Sequence, residues 1–171
     1  RFEESGGGLY KIKGGIGHSD WSADGMQPHL ADKMLEYLDE NKDSDKPFFL
    51  YMALTAPHIP LFPSKEFKGK SKIGDYGDLV MMIDDIVGRV NRKLKEIGKY
   101  DNTIVMFAAD NGCAGYINMD RINRKGHYPS YIYRGYKSHG WEGGHRIPFI
   151  LSWGDRYGRV TDNSLVSLTD L

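Results

Sequence analysis

The stretch that most constrains the fold is the apolar, β-branched run from Thr103 to Ala109, which stops abruptly at Asp110-Asn111-Gly112. Such a run is typical of a strand that is buried on both faces of a sheet. In open α/β sheets, ligands bind beyond the carboxyl ends of the strands. A carboxylate and an amide oxygen at that place are hard donors suited to Ca²⁺ or Mg²⁺. The alternative is that Asn111-Gly112 is a plain turn and Asp110 caps the next segment of the chain.

The overall charge of the chain excludes some partners. Its 171 residues include 23 basic and 23 acidic side chains, for a net charge of +0. This balance gives no argument for nucleic acid or an anionic membrane as the partner. The longest strongly apolar run, Phe48–Leu54, is too short to span a bilayer. A single cysteine, Cys113, rules out an internal disulfide framework.

Hydrophobic periodicity predicts an α/β arrangement, and the length allows one domain over residues 1–171. Residues 1–25 are glycine-rich and are predicted to form a loop, since no Gly-Lys-Ser/Thr completes a nucleotide-binding pattern. A long amphipathic helix should run from Tyr76 to Ile97, with Gly98 as its left-handed cap. The other predicted elements are a helix from about Pro28 to Asn41 and strands at Pro47–Leu54 and Ile147–Trp153.

Two further groups of polar residues invite a functional interpretation. His58 lies between Pro57 and Pro60, just beyond a predicted strand, where a stiff backbone would fix the direction of the imidazole. The segment 133–146 combines Gly with Lys, His, Arg and Trp, as expected for a loop that lines a polar pocket. By contrast, Asp84 and Asp85 are adjacent on a helix and point about 100° apart, so we interpret them as structural or solvated.

Three segments, in this order, resemble the sulfatase family. The first is Pro47–Tyr51 leading to Ala56-Pro57-His58-Ile59-Pro60; the second runs from Asp101-Asn102-Thr103 to Asp110-Asn111-Gly112; the third joins Arg134-Gly135-Tyr136-Lys137 to Trp141-Glu142-Gly143-Gly144-His145-Arg146-Ile147-Pro148. Gly126–Ser130 is similar to arylsulfatase-A-type bacterial members in particular. The resemblance extends from about Met26 to the end of the chain.

The resemblance implies an alkaline-phosphatase-like fold with a central, mostly parallel sheet flanked by helices. It also implies hydrolysis of sulfate esters by a hydrated formylglycine, with a calcium ion that binds this residue and the sulfate. Asp110 and Asn111 correspond to two calcium ligands. His58 corresponds to a histidine at the sulfate and leaving-group oxygen, and Lys137 to a lysine that contacts sulfate. Glu142 and Arg146 would either hold the Lys137 loop or form a simple surface ion pair.

The family's nucleophile motif, Cys/Ser-x-Pro/Ala-x-Arg, does not occur in this chain. Cys113 is followed by Ala114-Gly115-Tyr116 and does not fit it. We therefore expect the middle portion of a sulfatase catalytic domain, exported to the periplasm or secreted, that acts on a sulfated small molecule or carbohydrate. Two alternatives stay open: a phosphatase or phosphonate hydrolase of the same superfamily, and a non-catalytic module that binds sulfated glycans.

The missing nucleophile generates the first prediction. The purified chain, free of any other polypeptide, should not release 4-nitrophenol from 4-nitrophenyl sulfate above the buffer rate, because no residue in it can become formylglycine. Turnover that co-purifies with the chain and disappears in His58→Ala would contradict this expectation.

Overall fold

The structure, a computed structural model, describes residues 16–171. The predictions for the glycine-rich segments before residue 16 therefore lie outside the described residues. Within this range, the helices and strands are α1 (Met26–Glu40), α2 (Asp75–Glu96), β1 (Ile104–Ala108), α3 (Met119–Arg124), α4 (Glu142–His145) and β2 (Phe149–Trp153). Short 3₁₀ turns occur at Tyr100–Asn102, Gly115–Ile117 and Leu168–Asp170. No helix within residues 16–171 combines the length and apolar character needed to cross a bilayer.

The two long helices confirm the predictions from apolar spacing. Helix α2 ends as expected: Gly98 adopts a φ of +69°, and the Lys99 N–H donates to the Leu94 carbonyl at 2.9 Å. Only glycine takes this left-handed conformation without steric cost, and the bond back into the last turn satisfies a carbonyl that the helix leaves free. The helix end is thus closed by its own backbone.

The core lies between α1 and α2. Its buried members are Ala31, Met34, Phe67, Leu79, Met82 and Ile86, and Met52, Leu54, Ala56, Leu61 and Val90 pack against them. Each large apolar side chain that is fully buried contributes about 1.5–3 kcal/mol relative to solvent exposure. The segment 52–61, which leads to and includes His58, is therefore anchored to the helical core on both sides of the histidine.

Strands β1 and β2 pair antiparallel, with Ile104 opposite Trp153 and Ala108 opposite Phe149. This pair is the whole sheet within residues 16–171, so the α/β class is confirmed and the mostly parallel sheet stays a prediction. The expectation that β1 is fully buried is wrong, since Ile104 is 44% exposed and Met106 47% exposed. The apolar run reflects a surface that nothing in the described part of the chain covers.

The predicted strand at Pro47–Leu54 is not formed. The segment has no ladder partner and is irregular. Its side chains alternate as in a strand: Met52 and Leu54 pack against the helices, whereas Phe49 is 89% exposed and Tyr51 80% exposed. A strand requires a hydrogen-bonded neighbour as well as an alternating pattern, and residues 16–171 provide none here.

A buried carboxylate organises the loop before α2. Asp78 is 0% exposed and accepts hydrogen bonds from the backbone N–H groups of Gly69 at 2.8 Å and Ser71 at 2.6 Å. Because Asp78 lies in the first turn of α2, the positive end of the helix dipole also favours its negative charge. One side chain thus joins the 68–74 loop to the helix that carries the core.

Replacing this carboxylate should destabilise the fold. Asp78→Asn presents an amide N–H₂ where one of two backbone donors needs an acceptor, and should lower the free energy of unfolding by about 2–4 kcal/mol. The measurement is urea denaturation followed by circular dichroism. Asp84→Asn, the same change at an exposed position of α2, is the matched control and should stay within about 0.5 kcal/mol of the parent. Equal effects at the two positions would contradict the role of Asp78.

Candidate functional site

The antiparallel pairing determines which loops meet. Because Ala108 lies opposite Phe149, the carboxyl end of β1 is beside the segment that precedes β2. The Gly112 N–H donates to the Gly144 carbonyl at 2.9 Å, and the Lys137 N–H donates to the Cys113 carbonyl at 2.8 Å. The loop after Asp110-Asn111 is thus hydrogen-bonded to both ends of the glycine-rich segment. Two of the sequence motifs form one backbone-bonded unit.

This unit depends on glycines at points of close backbone approach. A Cβ on Gly112 would lie 2.0 Å from the Gly143 carbonyl oxygen, and a Cβ on Gly143 would lie 2.2 Å from the Gly135 carbonyl oxygen. A Cβ on Gly144 would lie 2.1 Å from the carbonyl oxygen of His139. No side chain fits at these distances, so the Glu-Gly-Gly motif serves here to bring three stretches of main chain together.

A tight turn presents Lys137. The His139 N–H donates to the Tyr136 carbonyl at 2.9 Å, and Ser138 within this turn has a φ of +74°. Positive φ at a non-glycine residue is energetically unfavourable and persists only where the surroundings enforce it. Here the contacts to Cys113 and Gly144 enforce it. Lys137 is therefore held by backbone hydrogen bonds on a rigid turn.

His58 and Lys137 line the same cavity, whose volume is about 410 Å³. The other lining residues are Ala114, Gly115, Tyr116, Tyr136, Ser138 and His139. The lining residues thus include one lysine, two histidines, one serine and two tyrosines. This set can neutralise an anion and donate protons to its oxygens.

The orientation of His58 is determined by its neighbours. Its Nδ1 lies 2.7 Å from the carbonyl oxygen of Ile59, which can only accept, so Nδ1 carries the proton and Nε2 is the nitrogen left for another partner. The His58 N–H donates to the Thr55 carbonyl at 3.0 Å, and the Tyr116 ring packs edge-on at 5.7 Å between centroids.

Behind the imidazole, a buried amide supports this turn. Gln27 of α1 is 3% exposed and donates from Nε2 to the Thr55 hydroxyl at 2.5 Å. Sequence reasoning missed Gln27 and Thr55, because a glutamine on an apolar helix face gives no signal of its partner. It also missed Ser138 and His139, for which the adjacent lysine was the available signal.

Asp110 and Asn111 lie just beyond the end of β1, after Ala109, and are not among the residues that line the cavity. Asp110 is exposed and Asn111 half-buried; within residues 16–171 neither side chain has a hydrogen bond or ion pair. Their oxygens are thus free for a ligand, and the donor types fit Ca²⁺. The described residues contain no cluster of three or more His, Cys, Asp or Glu side chains that could hold a metal. Two oxygens supply only part of the usual six to eight ligands.

Two other residues of the region, Cys113 and Glu142, make contacts that are structural. Burial raises the pKa of the Cys113 thiol, and a hydrogen bond with Tyr76 offsets part of this increase. A neutral, half-buried thiol is a poor nucleophile. Glu142 contacts Arg146 at 3.1 Å and His145 at 3.8 Å, all at exposed positions of α4 or its end. These ion pairs are exposed, and Arg146 also lies over the Tyr133 ring, 4.6 Å from its centroid, so it contacts the segment that leads to Lys137.

Comparison with known proteins identifies the family. The sulfatase family model matches residues 14–171. The chain is 33% identical over 154 residues to an N-acetylgalactosamine-6-O-sulfatase of Bacteroides thetaiotaomicron, covering 88% of this chain and 30% of that protein. The chain therefore spans less than a third of this relative.

Solved structures agree. A structure from work on glycosaminoglycan metabolism by Bacteroides thetaiotaomicron superposes with a TM-score of 0.72 at 34% identity, over 78% of this chain and 28% of that one. A protein solved in complex with k-i-k-neocarrahexaose superposes with a TM-score of 0.62 at 28% identity, over 75% of this chain and 28% of that one.

The glycine contacts generate a prediction. Gly144→Ala should lower the free energy of unfolding by about 1–3 kcal/mol and displace the Lys137 turn, because a Cβ has no space beside the His139 carbonyl. Gly140→Ala is the matched control in the same loop, since nothing lies within 4 Å of its Cβ position. Denaturation gives the stability, and the amide NMR shifts of residues 136–139 report the turn. Unchanged shifts in Gly144→Ala would contradict the close approach.

Proposed function

Because this chain belongs to the sulfatase family, we propose that it forms part of a sulfuric ester hydrolase whose formylglycine nucleophile lies outside these residues. The observation that carries the proposal is the shared cavity of His58 and Lys137. These residues come from motifs 79 positions apart in the chain. Their chemistry matches the two needs of sulfate ester cleavage, which are neutralisation of charge and protonation of the departing oxygen.

Lys137 would bind the sulfate group. Its ammonium has no ion-pair partner among residues 16–171, so it can neutralise charge on sulfate oxygens without first breaking another contact. The turn fixes the backbone of Lys137, so only its side chain has to become ordered when the substrate binds.

His58 would deliver a proton to the leaving group. With Nδ1–H bonded to the Ile59 carbonyl, a second proton on Nε2 is the one available for transfer to the ester oxygen. The hydrogen bond also fixes the orientation of the ring. The support from Thr55 and Gln27 fixes the segment on the core.

Asp110 and Asn111 would supply two of the oxygen ligands to a calcium ion, the remaining ligands coming from outside this chain. Such an ion would polarise the sulfate oxygens and add positive charge at the site. Both residues lie three positions or fewer before Cys113, whose carbonyl accepts the Lys137 N–H. The metal ligands and the sulfate-binding lysine are thus tied to the same backbone unit.

The substrate we propose is a sulfated carbohydrate, acted on after export to the periplasm or outside the cell. Similarity to an N-acetylgalactosamine-6-O-sulfatase and to a protein solved with an oligosaccharide supports this class. The fold we propose for the whole domain is alkaline-phosphatase-like, with a mostly parallel sheet flanked by helices. The exposed apolar faces of β1 and of residues 47–54 are consistent with further strands and helices covering them.

The test uses the full-length protein that contains this chain, produced with the formylglycine-forming modification. His58→Gln, Lys137→Met and Asp110→Asn should each lower kcat/KM for 4-nitrophenyl sulfate by about 100-fold or more. Chelation should remove activity and Ca²⁺ should restore it, with Asp110→Asn needing more Ca²⁺ than the parent. Asp84→Asn, on the exposed face of α2, should change kcat/KM by less than about twofold.

Two results would overturn the proposal. Faster turnover of 4-nitrophenyl phosphate than of the sulfate ester would assign a phosphatase. Binding of a sulfated glycan that needs no metal and survives His58→Ala, with no turnover, would assign a binding module.

A further inference from the structure

The neutral net charge of the chain hides a strongly asymmetric segment. Residues 121–154 contain six Lys or Arg side chains and a single carboxylate, Glu142. The cations are Arg121, Arg124, Lys125, Arg134, Lys137 and Arg146. The same segment carries four of the chain's 11 tyrosines and two of its three tryptophans. A basic, aromatic-rich segment of this kind creates a local positive potential that the overall charge does not reveal.

The one carboxylate is already engaged within α4. Glu142 contacts Arg146 at 3.1 Å and His145 at 3.8 Å, so it does not compensate Arg134 or Lys137. Among residues 16–171 neither of these two cations has an ion-pair partner. They are three positions apart, so their Cα atoms lie within about 11 Å of each other.

The guanidinium of Arg134 packs on an aromatic ring. Its guanidinium carbon lies 3.9 Å from the centroid of the Trp141 ring, and Trp141 is 50% exposed. Stacking of this kind is favourable and leaves the N–H edges of the guanidinium free to bind oxygens. The stack fixes Arg134 without neutralising it.

The Arg134–Trp141 stack continues into the cavity wall. Gly135 packs between Trp141 and His139: a Cβ there would lie 3.1 Å from the Trp141 Cβ and 3.2 Å from the His139 Cβ. His139 in turn stacks on Tyr136 with 4.1 Å between ring centroids, and both line the cavity with Lys137. One surface of rings and cations therefore leads from solvent to the candidate catalytic lysine.

From this arrangement we infer that the Arg134–Trp141 stack is a second anion-binding subsite, which selects an extended glycan with sulfates on neighbouring sugars. The inference rests on the proposed function, because it takes the sulfate at Lys137 to be the reacting one. A ligand with one isolated sulfate uses Lys137 and leaves Arg134 unpaired. A polysulfated glycan engages both cations at once, and its pyranose rings pack against the half-exposed Trp141. The second contact is intramolecular once the first has formed, which raises affinity without strengthening either contact.

The experiment measures binding, so it does not depend on turnover. Fluorescence anisotropy of the 171-residue chain is recorded with a labelled chondroitin 6-sulfate hexasaccharide, the corresponding disaccharide, an unsulfated hyaluronan hexasaccharide and a single-stranded DNA. The sulfated hexasaccharide should bind at least about 10-fold more tightly than the disaccharide. Its affinity should fall between about 50 mM and about 300 mM NaCl, because exposed charges are screened.

Substitutions test whether Arg134 and Trp141 cause the tighter binding of the hexasaccharide. Arg134→Gln should weaken hexasaccharide binding about 3- to 10-fold and leave disaccharide binding within about twofold. Trp141→Ala should act in the same direction. Arg92→Gln is the matched control: it removes one exposed charge from α2, paired there with Asp85 at 3.5 Å, and should leave both affinities unchanged.

Several outcomes would overturn the inference. These are equal affinity for hexasaccharide and disaccharide, equal affinity for hyaluronan, an effect of Arg92→Gln as large as that of Arg134→Gln, or DNA binding as tight as that of the glycan. Failure of the proposed function would look different: Lys137→Met would retain activity in the full-length protein while the length dependence of glycan binding persisted.

Discussion

The close backbone contact of Gly112, Gly143 and Gly144 is the constraint on which the rest of the site depends. A Cβ at any of the three would lie 2.0–2.2 Å from a backbone oxygen, so the loop after β1 and the segment before β2 approach as only glycines allow. The turn that bears Lys137 then bonds to Cys113, and Cys113 closely follows Asp110 and Asn111. The position of Lys137 relative to the candidate metal ligands is therefore set by backbone hydrogen bonds, whose geometry varies less than that of surface side chains.

His58 belongs to a different part of the architecture. It is carried by a segment whose neighbours, Leu54, Ala56 and Leu61, pack against the core of α1 and α2. The cavity therefore joins a helical core on one side to a glycine-packed loop cluster on the other. Movement of one part relative to the other would change the separation of the imidazole and the ammonium. The edge-on contact of Tyr116 with His58 bridges the two parts, since Tyr116 follows the β1 loop.

The sequence predicts local features, such as a helix and its cap, better than it predicts which strands pair. Helix α2 and its Gly98 cap follow from apolar spacing and one backbone requirement, both of which are local. The strand predicted at Pro47–Leu54 is wrong because strand formation is not local. An alternating pattern describes one strand and gives no information about the neighbour with which it would pair. The apolar run of β1 similarly predicted burial that would require strands from elsewhere. For the candidate site, motif order indicated His58, Lys137, Asp110 and Asn111, whereas Gln27 and Thr55 could be found only from the hydrogen bond that joins α1 to the His58 turn.

Some charged residues of the chain have ion-pair partners and others do not, and this difference supports separate roles for them within the site. Lys137 and Arg134 have no ion-pair partner among residues 16–171, whereas Asp32 of α1 pairs with Arg89 of α2 at 2.5 Å and Asp75 of α2 pairs with Lys68 of the preceding loop at 2.7 Å. An exposed ion pair contributes little to stability, so a cation left without one costs the free protein little and stays available to an external anion. The same reasoning applies with opposite sign to Asp110, whose carboxylate has no partner in this part of the chain. One cluster of loops thus offers unpaired positive charge for an anionic substrate and unpaired oxygen for a cation, and the hydrogen bond from the Gly112 N–H to the Gly144 carbonyl joins the segments that carry them.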